Sequence, residues 1–114
     1  MKSDPHRTSA WEILARRQAL KKKFGTLYDE VLAIITRHDP IGIADVPDKY
    51  EPEVETILPL LEQAQSKSEL RRIVYQEFVH WFGAQVAGPE PDYDKVAGEI
   101  WDAWQGRRLG FQQH

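Results

Sequence analysis

The sequence predicts an all-α protein, a bundle of about four helices in a single domain spanning residues 1–114. Apolar residues recur at helical spacing in four separate segments. No stretch alternates apolar and polar residues as a half-buried strand would. With 114 residues, of which 41% are hydrophobic, the chain is long enough for one core and too short for two.

The first predicted element is a long N-terminal helix from Ala10 to Arg37. Residues 1–9 show no periodicity and are predicted to form a loose arm, with Ser9 and Glu12 as a capping box. One apolar stripe then keeps its helical phase through Gly25. Its members are Ile13, Leu20, Phe24, Leu27, Val31, Ile34, Ile35 and His38. Because a break would not be expected to preserve the phase, one continuous helix is favoured, and a hairpin broken at Gly25 is the alternative.

This helix would extend roughly 40 Å, farther than a domain of this size can cover. Its stripe is interrupted at Arg16 and Arg17, while Trp11, Leu14 and Gln18 begin a weaker second face. We therefore expect the first half of the helix to project and to pack against a second copy, as a homodimer, or against a protein partner.

The segment His38–Ile43 is predicted to form an elbow that ends the first helix. Pro40 disfavours a helical conformation at Asp39, and Gly42 permits the positive φ of a turn. The two isoleucines of the segment are apolar enough to anchor it against the core. The acidic connection 44–50 follows, so the elbow is also expected to begin an acidic surface.

The second helix is predicted to begin around Pro52, because proline suits the first turn of a helix, with Asp48 or Glu51 as its cap. Pro59 falls on the side away from the apolar stripe, which predicts a kink rather than a break. The stripe consists of Val54, Ile57, Leu58 and Leu61.

Two further helices complete the predicted bundle. The segment Ser66–Glu69 reads as a capping box that opens the third helix, and Gly83 ends it. Asp92 is predicted to cap the last helix, and Gly106 to end it. Residues 106–114 are predicted to form a weakly ordered tail.

The composition excludes several classes of function. With Cys 0 the chain has no disulfide, thiolate metal site or cysteine nucleophile, and a cytoplasmic location is expected. No apolar run approaches the ~18 residues that cross a bilayer, so no membrane association is predicted. The net charge of −3 and the absence of aromatics from the basic run Arg16–Lys23 argue against nucleic acid as a partner. The basic run and the acidic middle are interpreted as two solvated faces.

Glu77 is a charged residue in the middle of the apolar stripe of the third helix. Burying an unpaired charge is costly, so Glu77 is expected to have a partner. His38 and the hydroxyl of Tyr50 are the candidates. The group is interpreted either as a polar pin that fixes how the helices register, or as an acid or base in a small pocket.

Glu77 and His80 also form an E-x-x-H pair on one helix face, the spacing that helical bundles use to bind two metals. Such bundles use the pair twice, and the sequence has no second copy, so no metal is predicted. The sequence has no Gly-rich phosphate loop and no H-E-x-x-H or G-x-S-x-G motif. No catalytic residue and no cofactor are predicted.

Two motifs around the elbow carry a family resemblance. The sequence DPIG at residues 39–42 is followed by Asp48, Tyr50 and Glu53, with Lys49 where an acid is usual. This arrangement resembles a bacterial family of small helical proteins of unknown function, in which D-P-[IL]-G is followed by a D-E-Y-x-x-E-like segment. The resemblance implies a helical fold in a bacterial cytoplasm, and it implies no mechanism.

The sequence favours a non-catalytic protein, regulatory or immunity-type, that binds a protein partner through the acidic elbow surface or the projecting helix. The alternative is a small-molecule or metal-binding protein, or an enzyme, with a pocket around Glu77, His38, Tyr50 and His80. The candidate binding residues are His38, Asp39, Tyr50, Glu53, Glu77 and His80.

Overall fold

The computed structural model describes residues 10–43 and 50–112, with side chains as far as Arg107. These residues form six α-helices, two 3-10 helices and no strand, so the all-α prediction is confirmed for them; the count of about four helices is not. The α-helices are α1 (Ala10–Phe24), α2 (Thr26–His38), α3 (Glu51–Ile57), α4 (Lys67–Phe82), α5 (Ala84–Ala87) and α6 (Asp94–Gln112). The 3-10 helices are Leu58–Gln63 and Glu90–Tyr93. The predicted arm 1–9, with Ser9, and the predicted cap Asp48 lie outside the described residues.

The prediction of one continuous N-terminal helix is wrong, because α1 and α2 are separated at Gly25. The break occupies this single residue, which adopts φ 58° and ψ −132°. A glycine reaches this region without the Cβ clash that another residue would meet. The guanidinium of Arg107 donates hydrogen bonds to the carbonyl oxygens of Phe24 (2.7 Å) and Lys23 (3.2 Å). These bonds satisfy carbonyls that the break leaves without helical partners.

The elbow ends α2 as predicted. The helix stops at His38, and Asp39 takes the left-handed conformation with φ 47° while its N–H donates to the carbonyl of Ile35 at 2.8 Å. Gly42 has the predicted positive φ, 74°. Ile41 and Ile43 are partly buried and pack against the core, so the elbow is anchored rather than loose.

The second predicted helix is shorter than expected. Pro52 lies in the first turn of α3, as predicted, but Tyr50 rather than Glu51 is the N-cap residue, and no side chain caps this end. At Pro59 the α-helix gives way to a 3-10 helix instead of continuing with a kink. Proline lacks the N–H that an α-helix interior needs, whereas it fits the first turn of the 3-10 segment. The four predicted stripe residues are all buried.

The sequence signals hold at both ends of α4 and at neither end of α6, which begins at Asp94 after a 3-10 helix that contains the predicted cap Asp92. Ser66 Oγ accepts a hydrogen bond from the N–H of Glu69 at 3.1 Å, and α4 stops before Gly83, as predicted. The predicted end of the last helix at Gly106 is wrong, because α6 continues to Gln112. A helical glycine costs only about 1 kcal/mol relative to alanine, which is too little by itself to end a helix.

The core is formed mainly by α2, α3, α4, α6 and the two 3-10 helices. Its largest fully buried side chains include Tyr28, Ile35, Ile57, Leu61, Leu70, Phe78, Tyr93 and Ile100. Among the described side chains of α1, only Phe24 is fully buried. The first helix is therefore attached to the core mainly at its C-terminal half.

Candidate binding surface and its anchor

Glu77 is not the buried carboxylate that the sequence predicts. Its side chain is partly exposed. The buried face of α4 is centred on Leu70, Val74 and Phe78, and it is rotated toward Tyr75, whose ring meets that of Tyr93 at 5.6 Å. Glu77 therefore lies at the edge of the buried face of α4 rather than in its middle.

His38 contacts Glu99 on α6 rather than Glu77. Its Nε2 lies against Glu99 Oε2, and the other oxygen of Glu99 contacts the guanidinium of Arg37. Burial and the charges of Arg37 and Lys95 lower the pKa of His38. A neutral His38 therefore donates its Nε2–H to a carboxylate whose charge Arg37 already balances, because an ionised carboxylate can only accept. This cluster joins the end of α2 to α6.

Tyr50 and Asp39 are hydrogen-bonded to each other at the elbow. The Tyr50 hydroxyl donates to Asp39 Oδ1 at 2.7 Å, and the same oxygen accepts the N–H of Ile43 at 2.7 Å. Burial, followed by the hydrogen bond to Asp39, raises the pKa of Tyr50. These bonds hold the left-handed residue Asp39 in place, so a structural role accounts for both side chains.

The pocket predicted around Glu77, His38, Tyr50 and His80 is not assembled. His80 is exposed and meets the ring of Trp81 edge-on at 6.0 Å. Within the described part of the chain, no hydrogen bond or ion pair joins Glu77 or His80 to the residues of the elbow. The same described residues contain no group of three His, Asp or Glu side chains arranged to hold a metal ion.

Two shallow clefts lie between α2 and α6, with volumes of about 350 and 420 Å³. The first is lined by Thr26, Leu27, Glu30, Ala103, Gly106 and Arg107. The second is lined by Glu30, Ala33, Ile34, Arg37, Glu99 and Asp102. None of the predicted binding residues lines either cleft.

The buried carboxylates of the described chain lie on α3. Glu51, Glu53 and Glu55 are all buried, and Glu53, predicted to belong to an acidic binding surface, is only 2% exposed. That placement of Glu53 is therefore wrong, as is the interpretation of this segment as a solvated face. Burial of three acidic side chains on one short helix requires compensating groups.

Arg17 of α1 supplies the positive charge. Its Nε donates to Glu55 Oε2 at 2.5 Å, and its Nη1 lies 3.2 Å from Glu51 Oε2. The hydroxyl of Tyr28 donates to the same oxygen of Glu55 at 2.7 Å. Arg17, Tyr28, Glu51 and Glu55 are called the Arg17 anchor below. The anchor fixes α1 against α2 and α3.

The electrostatics of the anchor favour the charged pair. Burial lowers the pKa of Arg17, but the hydrogen bond and charge of Glu55, with the charges of Glu51 and Tyr28, raise it by more. Burial and then the hydrogen bond to Glu55 raise the pKa of Tyr28. The guanidinium thus stays charged and the phenol stays protonated, as their donor roles require.

The position of Arg17 in the sequence is a signal for this anchor, although it was interpreted above as an interruption of the apolar stripe. Arg17 lies four residues after Ile13 and three before Leu20, so it occupies a core-facing position of the stripe. Glu51 and Glu55 are four residues apart and therefore share one helix face. A charged residue on a buried stripe predicts an opposite charge elsewhere, and the acidic helix could have been identified by that requirement.

Beyond the anchor, α1 presents large apolar side chains to solvent. Trp11 is 77% exposed, Leu14 51% and Ile13 37%. These three residues are called the apolar end of α1. Arg16 and the lysines 21–23 are exposed on the same helix. The helix is therefore fixed at one end, while its other end carries uncovered apolar area and a basic surround.

Comparison with protein-family models, with curated proteins and with solved structures finds no match for this chain. Among the described residues no helix is both long and apolar enough to cross a membrane.

Proposed function

We propose that this chain is a non-catalytic protein, regulatory or immunity-type, that binds a protein partner through the apolar end of α1. The observation that carries the proposal is the exposure of Trp11 and Leu14 on a helix that Arg17 fixes to the core. Scattered exposed apolar residues are ordinary on a protein surface. Here, however, three of them fall within residues 11–14.

The anchor supports the proposal because it reduces the entropic cost of binding. A helix that is already formed and oriented loses little conformational freedom when a partner covers it. Tryptophan is also enriched among the residues that dominate binding energy in protein interfaces. A helix that exposes apolar side chains can place them in an apolar groove of the partner.

The charges around the apolar end indicate the chemistry of the partner. Arg16, Lys22 and Lys23 are exposed on α1, so an acidic rim around an apolar groove would complement it. The acidic elbow is the weaker candidate, because Glu51, Glu53 and Glu55 face the interior. No described contact favours the alternative of a ligand pocket or an enzyme.

We infer also that the chain belongs to the bacterial cytoplasmic family that its DPIG motif resembles. The hydrogen bonds of Asp39 and Tyr50 support this inference, since they give two motif residues a shared structural task. The four helices of 13 or more residues, α1, α2, α4 and α6, support the description as a four-helix bundle with two short additions.

The experiment is affinity capture from an extract of the source organism with three forms of the chain. These are the wild type, the double variant Trp11→Ala, Leu14→Ala, and the control Val86→Ser, which changes a side chain that is 55% exposed elsewhere. The proposal predicts a protein that the wild type and the control retain and the double variant loses. Equal recovery with all three forms, or capture of nucleic acid alone, would contradict it.

A further inference from the structure

We propose that α1 can be exchanged between two copies of this chain, so that Arg17 of one copy lies between Glu51 and Glu55 of the other. The inference goes beyond the proposed function, because exchange uses the contacts of Arg17 and Lys21 rather than the apolar end of α1.

The first observation is the hinge. The direction of α1 relative to α2 depends on one residue, Gly25, at φ 58° and ψ −132°. The apolar stripe nevertheless keeps its phase across this residue. At present the N–H of Tyr28 donates to the carbonyl of Gly25 at 3.2 Å. If Gly25 became helical, α1 and α2 would form one helix, and this N–H would donate to the carbonyl of Phe24 instead. The preserved phase, which the closed chain does not need, fits this open form.

The second observation is that the contacts of α1 are few and transferable. Arg17 binds two carboxylates of α3, Lys21 Nζ lies 5.1 Å from the ring centre of Tyr28, and Phe24 enters the core. A second copy carries the same helix and could make the same Arg17 and Lys21 contacts. Exchange of an identical element costs little for this reason.

If α1 left its place, the charges of Glu51 and Glu55 would determine which group could take the place of Arg17. Two buried carboxylates on α3 and the hydroxyl of Tyr28 require a guanidinium, since an uncompensated carboxylate pair at this depth is costly. The nearest matching element in solution is the α1 of another copy. Besides the Arg17 contacts, opening must break the bonds from Arg107 to the carbonyls of Phe24 and Lys23, and the continuous helix would supply these carbonyls with N–H donors of its own.

The hinge is tested by Gly25→Ala with mass measurement by light scattering. Alanine is strained in the closed conformation and favours the helix, so the dimer dissociation constant should tighten by about 1,000-fold. Gly106→Ala is the control, because it makes the same exchange in open space within α6. A Gly25→Ala variant that remains monomeric at high concentration would overturn the proposal.

Exchange itself is tested by mixing two charge-reversed chains, Arg17→Glu and Glu55→Arg. Within either variant chain alone, positions 17 and 55 carry like charges. In a dimer of the two variants that have exchanged α1, position 17 of each chain meets an opposite charge at position 55 of the other chain. Mixing should produce a dimer and, if either variant is unfolded alone, should restore its helical circular dichroism. A mixture that behaves as the sum of its two components would overturn exchange.

The outcomes separate this proposal from the proposed function. Loss of partner capture in the Trp11→Ala, Leu14→Ala variant, together with a monomeric Gly25→Ala chain, would leave the binding surface standing and reject exchange. A second outcome would also reject exchange. It is a dimer whose dissociation constant is unchanged by Gly25→Ala and by the charge reversals, but which dissociates when Trp11 and Leu14 are replaced. Such a dimer would be held by contact between the apolar ends of two α1 helices.

Discussion

The Nε of Arg17 donates to Glu55 Oε2 at 2.5 Å across 38 residues of sequence. This contact joins the basic first helix to the acidic third one, and Tyr28 donates to the same oxygen from the second helix. Three helices therefore meet at one carboxylate. The position of α1, and with it the presentation of Trp11 and Leu14, depends on this contact.

Replacing Arg17 should destabilise the fold more than replacing its exposed neighbour. Arg17→Met leaves the carboxylates of Glu51 and Glu55 without their cation and should lower the free energy of unfolding by about 3 kcal/mol. Arg16→Met should change it by no more than about 0.5 kcal/mol. Urea denaturation measures both, and equal effects of the two substitutions would contradict the anchor.

Asp39 should tolerate asparagine and not alanine. Asparagine keeps an oxygen for Tyr50 and Ile43 and accepts the left-handed conformation, so Asp39→Asn should cost less than about 1 kcal/mol. Alanine loses both hydrogen bonds and is strained at φ 47°, and should cost about 2–3 kcal/mol. Thermal unfolding of the two variants compares them. A smaller loss for alanine than for asparagine would be inconsistent with the elbow described above.

His38 should make stability fall at mildly acidic pH. Its folded pKa lies below the ordinary histidine value of 6.5, so below about that pH the unfolded chain binds a proton that the folded chain does not. The free energy of unfolding should therefore decrease as the pH falls through 6.5 toward the folded pKa. His38→Gln keeps a donor for Glu99 and should reduce this dependence. Denaturation at a series of pH values checks it, and an unchanged dependence in the variant would refute it.

Tyr93 should make stability fall at alkaline pH. Burial, with the charges of Tyr75 and Asp92, raises its pKa to about 12 from the ordinary tyrosine value of 10.0. Between these values the unfolded chain loses a proton that the folded chain keeps, so the stabilisation is present below pH 10 and is lost as the pH rises toward 12.

Tyr93→Phe removes this contribution, and it also removes the hydrogen bond to the carbonyl of Ala87 at 2.6 Å, at a cost of about 1 kcal/mol at neutral pH. Ultraviolet titration and unfolding of both proteins measure the two effects. Identical alkaline losses in wild type and variant would show that another group is responsible.

The elements around the elbow could be predicted from sequence because their signals are local. Pro40 and Gly42 act on the backbone of their own turn, and Ser66 caps the helix that begins one residue later. The buried stripe of α3 also follows from spacing within one segment. None of these predictions needs knowledge of a distant residue.

The break at Gly25 and the Arg17 anchor could not be predicted from local sequence signals. An apolar stripe that keeps its helical phase is compatible with a straight helix and with a bend at a single glycine. The bend is supported by Arg107, which donates a hydrogen bond to the carbonyl of Phe24 from 83 residues away in the sequence. The interior position of Glu55 likewise depends on Arg17, which is distant in sequence. An acidic run is ordinarily solvated, and only the placement of the opposite charge on a core-facing stripe reverses that expectation.

The contact between Arg17 and Glu55 is tested most directly by a double-mutant cycle between these two residues. The free energy of unfolding would be measured for the wild type, Arg17→Met, Glu55→Gln and the double variant. We expect a coupling energy of about 1.5 kcal/mol or more, because each single substitution already removes most of the stabilisation that the other substitution would remove. Additivity within about 0.5 kcal/mol would show that the two side chains do not interact, and would contradict the placement of α1.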